Sequence, residues 1–140
     1  MHCVFSTKER RRLITPEIQK RLYPDLGGIA RENKMKALSI GGGEDHVHAL
    51  LSIPSTLSVA KSVQLLKGNS SKWIHETFPH QRLFEWQEGY GAFSIAVSGM
   101  EDTLRYIQSQ KEHHRVHSFK DELIAFLDKH GIEYKQWMLN

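Results

Sequence analysis

A run of three glycines, Gly41-Gly42-Gly43, separates two stretches with strand character, Lys36 to Ile40 and His46 to Ile53. That arrangement commits the middle of the chain to a β-hairpin whose turn is Gly41-Gly42-Gly43-Glu44-Asp45. The glycines serve the tight turn rather than a phosphate cradle, because no helix follows them directly. Side chains along a strand alternate between faces, so His46 and His48 point one way and Val47 the other. Two imidazoles on one strand face can grip a divalent cation, which makes this strand half of a candidate metal site.

The flanking pattern completes a fold. His2 to Thr7 alternates as a first strand, and Thr15-Pro16 reads as N-cap and first helical residue of a helix with Ile18, Leu22, Leu26 and Ile29 on its inner face. Pro24 and the Gly27-Gly28 pair should kink or weaken that helix. After Pro54 a second helix turns Val59, Val63, Leu66, Ser70, Trp73 and Ile74 inward and Lys61, Lys67 and Lys72 outward. Tyr90 to Val97 alternates as a fourth strand, and Glu101 to about Lys111 forms a helix on which Tyr106 and Gln110 share a face. Ser118-Phe119-Lys120-Asp121 looks like a capping box opening a last helix with Leu123, Phe126 and Leu127. The order β-α-β-β-α-β followed by helices predicts an α+β, ferredoxin-like (RRM-like) antiparallel sheet with added C-terminal helices. The first and third strands of such a sheet are central, which puts the histidine pair on a rigid platform. We expect one domain over residues 1–140, with residues 1–98 as the ferredoxin-like core and 99–140 as the tyrosine helix and C-terminal helix.

Composition narrows the function. The chain has 140 residues, 25% charged and 39% hydrophobic, the profile of an ordinary globular domain. No stretch reaches the ~18–20 apolar residues that span a bilayer, and Met1-His2-Cys3-Val4 lacks the parts of a signal peptide, so a cytoplasmic protein without membrane partners is expected. The single cysteine, Cys3, excludes an internal disulfide and reads as a small core residue. A net charge of +3 and a pI near 9.0 hint mildly at a polyanionic partner. The basic run Lys8, Arg10, Arg11, Arg12 and the recurring Lys61, Lys67 and Lys72 say more, although solvated charge is the commoner reason for either cluster. No Gly-x-x-x-x-Gly-Lys-Ser/Thr loop is present, which argues against a nucleotide cofactor.

Several segments together resemble a known family. Glu44-Asp45-His46-Val47-His48, Leu65-Leu66-Lys67-Gly68-Asn69-Ser70-Ser71-Lys72, Trp86-Gln87-Glu88-Gly89-Tyr90 and Tyr106-Ile107-x-x-Gln110 look like the single-tyrosine HUH transposases of the insertion-sequence 200/605 type, related to the REP-associated tyrosine transposases. HUH denotes histidine, hydrophobic residue, histidine. The Phe5-Ser6-Thr7-Lys8-x-Arg10 opening and the Gly131-Ile132-Glu133-Tyr134 close extend the match over nearly the whole chain, in the right order.

The resemblance implies a DNA transposase that cleaves and rejoins single-stranded DNA, with Tyr106 as nucleophile, His46, His48 and Gln110 as ligands of Mg²⁺ or Mn²⁺, and Asp45 as a group orienting an imidazole or simply a turn residue. A tyrosine hydroxyl, with an unperturbed pKa of ~10, attacks a phosphodiester poorly unless the phosphorus is made more electrophilic. A divalent ion does this as a Lewis acid, and two neutral imidazoles with a neutral amide leave its charge available to an anionic phosphate. Attack would give a covalent 5′-phosphotyrosine and a free 3′-hydroxyl, conserving phosphodiester energy without ATP. The family acts as a homodimer on imperfect hairpins near element ends. Lys8, Arg10, Arg12, Lys67, Asn69, Ser70, Ser71, Lys72, Arg105 and Lys111 are candidate contacts to the DNA backbone.

Blander readings stand beside these. A lone His-x-His is more often surface or satisfied histidine than a metal site, and Trp73, Trp86, Tyr90 and Phe93 are more often core than base-stacking platforms. His113 and His114 could touch DNA near Tyr106, but His113-His114-x-x-His117 lacks the glutamate of a zinc-protease helix. A histidine-triad hydrolase is disfavoured because Leu50 stands where a third histidine would be. The same residues are also compatible with a non-catalytic single-strand nucleic-acid binding module, a domesticated REP-associated-type nuclease or a decayed transposase.

Overall fold

The computed structural model describes residues 1–110 and residue 124. The expected last helix, together with Lys111, His113, His114 and His117, lies outside the described residues. In chain order the elements are β1 (His2–Ser6), α1 (Pro16–Glu32), β2 (Lys36–Gly42), β3 (His46–Ser52), α2 (Val59–Thr77), β4 (Gly91–Phe93) and α3 (Met100–Gln108), with short 3-10 turns at Lys8–Arg10 and Val97–Gly99. The four strands form one sheet in the order β2-β3-β1-β4, every neighbouring pair antiparallel. This is the ferredoxin-like α+β arrangement expected from the sequence, with β1 and β3 central.

Cross-strand register decides what each face carries. Val4 lies opposite His48 and Ser6 opposite His46, so these residues share a face with His2 and Leu50. Cys3, Phe5, Val47, Ala49 and Leu51 occupy the other face, where they join Ile18, Leu22, Leu26, Val63, Leu66 and Ile74 of α1 and α2 in one apolar cluster. Burial there pushes the Cys3 thiol up to about 11, so it stays protonated and inert at neutral pH.

Helix α1 begins as anticipated, with the Thr15 hydroxyl accepting from the Ile18 N–H and Pro16 in the first turn. Helix α1 is continuous through Pro24 and the glycine pair. An interior proline costs ~3 kcal/mol. Burying Ile18, Leu22, Leu26 and Ile29 on one stripe outweighs that, since each contributes ~1.5–3 kcal/mol. Helix α2 starts at a cap that the sequence pattern does not single out, Ser58, whose hydroxyl accepts from the Lys61 N–H at 3.0 Å.

The fourth strand is shorter than anticipated. Pairing with β1 runs only from Val4–Gly91 to His2–Phe93, after which the chain turns into the 3-10 segment leading to α3. Strand β2 is longer than anticipated, because Gly41 and Gly42 remain in the ladder opposite His48 and Val47.

Candidate active site

Helix α3 crosses the sheet face that α1 and α2 leave uncovered. A side chain at Gly41 would place its Cβ 2.4 Å from the Ile107 carbonyl oxygen, so glycine is what lets the helix backbone settle onto β2. Gly42 is equally constrained from the hairpin side, where a Cβ would lie 2.2 Å from the His46 carbonyl oxygen. The seating brings Tyr106 over the histidines: its ring centroid is 5.5 Å from that of His48 and 6.3 Å from that of His2, both edge-on. His46 and His48 are 5.1 Å apart by centroid. Gln110 follows the cap residue Ser109 and is nearly fully buried, as are both histidines of β3.

The hydrogen bonds fix the ring of His46. Its Nδ1 lies 2.8 Å from Asp45 Oδ1, and a carboxylate only accepts, so Nδ1 carries a proton and Nε2 is the nitrogen left to a second partner. That nitrogen is 3.2 Å from Gln110 Oε1. The amide cannot turn its nitrogen there without losing the bond from Nε2 to the Tyr106 carbonyl at 3.2 Å. The ring nitrogen and the amide oxygen thus face each other, a placement that suits either a proton on Nε2 or a cation held between them. Among the described residues no three His, Cys, Asp or Glu side chains cluster as a metal cage. The Gln110 amide oxygen stands on this face beside the imidazoles, and an imidazole-and-amide set could hold a divalent ion that also accepts phosphate oxygen. Asp45 does for His46 what outer groups do for metal-bound imidazoles, holding the ring's orientation.

The basic segments divide. Lys8 pairs with Glu85 at 3.3 Å, Arg11 with Glu9 at 3.0 Å and Arg12 with Glu44 at 3.8 Å, all exposed and so weakly held. Glu9 and Arg10 both adopt left-handed backbone, with φ of 56° and 53°. The turn is secured by the Glu9 N–H donating to Gln87 Oε1 at 2.8 Å and by Thr7, which links it to the Asp45 carbonyl. Arg105 is exposed and donates to Asp102 at 2.7 Å, and Lys72 is exposed.

Lys67 and Ser70 are engaged inside the fold. Lys67 donates to the carbonyls of Gln87 at 2.6 Å and Gly89 at 3.0 Å, and burial lowers its pKa. Ser70 is fully buried on the inward helix face expected for it and accepts from the Trp86 indole at 3.0 Å, which takes its hydroxyl away from the DNA contact that was a candidate role. The pair instead fastens the Trp86–Gly89 segment to α2. Asn69 donates to the Leu65 carbonyl along the helix and Ser71 is half-buried. Of the aromatics, Trp86 and Phe93 are buried, Trp73 is half-buried against Phe78, and Tyr90 is exposed.

One site residue has no signature in the sequence pattern. His2 is completely buried, and its Nε2 lies 2.9 Å from His48 Nδ1. Nothing in the spacing of His2 and His48 advertises this, because the contact exists only through the β1–β3 register.

The family described as "Transposase IS200 like" matches residues 1–110. The chain belongs to this family of transposases, enzymes that cut and rejoin DNA. The ISDra2 transposase TnpA of Deinococcus radiodurans is 25% identical over 116 residues, covering 79% of this chain and 83% of that protein. The transposase of insertion element IS200 from Salmonella typhimurium is 32% identical over 77 residues, and the match spans about half of each protein, 55% of this chain and 51% of the relative. A crystal structure of a putative transposase from Deinococcus radiodurans superposes with a TM-score of 0.63 at 24% identity over 78% of this chain and 88% of that one. A REP-associated tyrosine transposase bound to a REP hairpin superposes with a TM-score of 0.61 at 12% identity, over 81% of this chain and 66% of that one. At these identities the two structures speak to the fold. Among the described residues no helix is long and apolar enough to cross a membrane.

Proposed function

We propose that this transposase cleaves and rejoins single-stranded DNA through a covalent bond to Tyr106, with His46, His48 and Gln110 holding Mg²⁺ or Mn²⁺. The observation that carries the reading is the convergence of His46 Nε2 and Gln110 Oε1, one helical turn from Tyr106 and beside the ring of His48. When bound, the ion would polarise the scissile phosphate and offset charge in the transition state. The remaining work falls to the chain. Tyr106 Oη attacks phosphorus as the bond to the 3′ oxygen breaks; the phenolic proton leaves and one proton ends on the 3′-hydroxyl, so the 5′-phosphotyrosine forms without water or ATP. A 3′-hydroxyl of another strand then reverses the attack and frees Tyr106. Asp45 holds His46 in its Nδ1–H form throughout.

Lys8, Arg10, Arg12, Lys72, Arg105 and Lys111 are the cations assigned to phosphate contact in this reading, with Asn69 and Ser71 as lesser contacts. The exposed, loosely paired state of Lys8 and Arg12 supports exchange of their carboxylate partners for phosphates. The partner is DNA carrying hairpins at element ends, and the acting unit a homodimer, in keeping with the family resemblance and with the hairpin-bound fold relative.

The test is incubation of the purified protein with labelled single-stranded DNA from the ends of its element, with Mg²⁺, Mn²⁺ or chelator, followed by denaturing electrophoresis. A metal-dependent adduct that maps to Tyr106 and vanishes in Tyr106→Phe, with DNA binding intact, is expected. Adduct formation by Tyr106→Phe would defeat the assignment, and tight binding with no adduct would favour the non-catalytic binding module.

A further inference from the structure

We infer that His2 is a positioning residue: its Nε2 accepts the Nδ1–H of His48 and so holds the His48 lone pair at Nε2, on the side of the ring that a divalent cation would use. The inference rests on the reading of His48 as a ligand. Its ground is the 2.9 Å contact between His2 Nε2 and His48 Nδ1, made between two side chains that are 0% and 1% exposed.

Two imidazole nitrogens at that distance share one proton, and the bond can run in either direction. If His2 donates from Nε2, His48 Nδ1 is the acceptor and the neutral His48 ring carries its proton at Nε2, which closes that nitrogen to a metal. If His48 donates from Nδ1, Nε2 keeps its lone pair. The two strand histidines then become equivalent, each with a proton held at Nδ1 by a neighbour, Asp45 for His46 and His2 for His48. Metal-bound imidazoles ordinarily have such an outer acceptor fixing tautomer and ring plane.

Placement favours a positioning role over simple packing. His2 is on central strand β1, flanked by Phe93 of β4 at a ring-centroid distance of 6.2 Å and by Tyr106 at 6.3 Å. An apolar ring at position 2 would fill this space equally well, and Val4 and Leu50 beside it are apolar and buried. A buried imidazole is warranted there by its nitrogen rather than by its volume.

The experiment uses the full chain. Long-range ¹H–¹⁵N correlation on metal-free protein reads the tautomer of His48 directly, and the expected form is Nδ1–H. Mn²⁺ affinity is then measured by titration for wild type, His48→Ala, His2→Phe and His2→Gln. His2→Phe keeps the ring and removes the acceptor, with an expected loss of ~10–100-fold in affinity, the range for lost outer partners of a metal site. His2→Gln returns an acceptor and should bind within a few fold of wild type. An Nε2–H tautomer at His48 overturns the inference even if His2→Phe fails to fold. So does wild-type affinity in folded His2→Phe, or a folded His2→Gln no better than His2→Phe. Undiminished Mn²⁺ binding by His48→Ala is a different result: it removes His48 from the ligand set, and the parent reading fails with it.

Discussion

The two faces of β3 are buried to the same degree and built from opposite chemistry. Val47, Ala49 and Leu51 meet α1 and α2 in an apolar cluster, whereas His46 and His48 meet α3, Asp45, Gln110 and His2. On the first face burial drives folding. On the second, burial of polar rings costs free energy unless each nitrogen finds a partner, so a fold selected for stability alone would use apolar side chains there as well. The contrast teaches that the α3 side of the sheet is the polar, hydrogen-bonded one and the side facing α1 and α2 the cohesive one.

Paired substitutions on β3 break the comparison most directly. His46→Ala should abolish DNA cleavage while the variant still folds and binds DNA. Leu51→Ala should lower stability by ~2–5 kcal/mol yet leave cleavage near wild type below its melting temperature. Denaturation curves and the electrophoretic cleavage assay on both variants check this, and the reverse pattern would erase the division of labour.

Gly41→Ala probes the join between the faces. The new Cβ meets the Ile107 carbonyl, so α3 must lift and Tyr106 with it. Displacement of a reacting group by about an ångström costs ~10²-fold, so single-turnover cleavage should fall by that order while far-ultraviolet circular dichroism is unchanged.

A smaller effect is expected at the fastening of α2 to the Trp86 segment. Ser70→Ala leaves the buried Trp86 indole N–H without its acceptor, for a loss of ~1–3 kcal/mol in urea denaturation. DNA affinity should not change, which would confirm that Ser70 acts inside the fold.

The smallest effect is a pH dependence on α1. Burial, and then the Glu32 carboxylate, push the Asp25 carboxyl from 3.8 up to about 6. The folded chain thus binds this proton more tightly than the unfolded chain. That favours folding fully below 3.8, and the advantage is lost as pH rises through about 6. Asp25→Asn should therefore melt above wild type at pH 7 and with it below 3.8, as read by thermal scans across that range.

Much of the molecule is legible in the sequence, for identifiable reasons. The hairpin, the histidine pair and the Tyr106–Gln110 spacing are local patterns, fixed by strand alternation and helical period, and they emerge where expected. That helix α1 continues through Pro24 is less legible, because a local penalty carries no knowledge of the apolar stripe that offsets it. Strand β4 is shorter than its pattern because alternation over Tyr90 to Val97 says nothing about where a partner strand stops. Helix face alone places Ser70 and Lys67, and only the return of Trp86, Gln87 and Gly89 onto α2 shows that their polar atoms are spoken for. His2 is invisible for the same kind of reason, being joined to His48 by register across two strands.

The seating of α3 on Gly41 has a consequence for how the chain tolerates change. The spacing between Tyr106 and the sheet is gauged by main chain against main chain, with no side chain intervening. The depth of Tyr106 over the sheet thus depends on a single hydrogen atom occupying the place of a side chain at position 41.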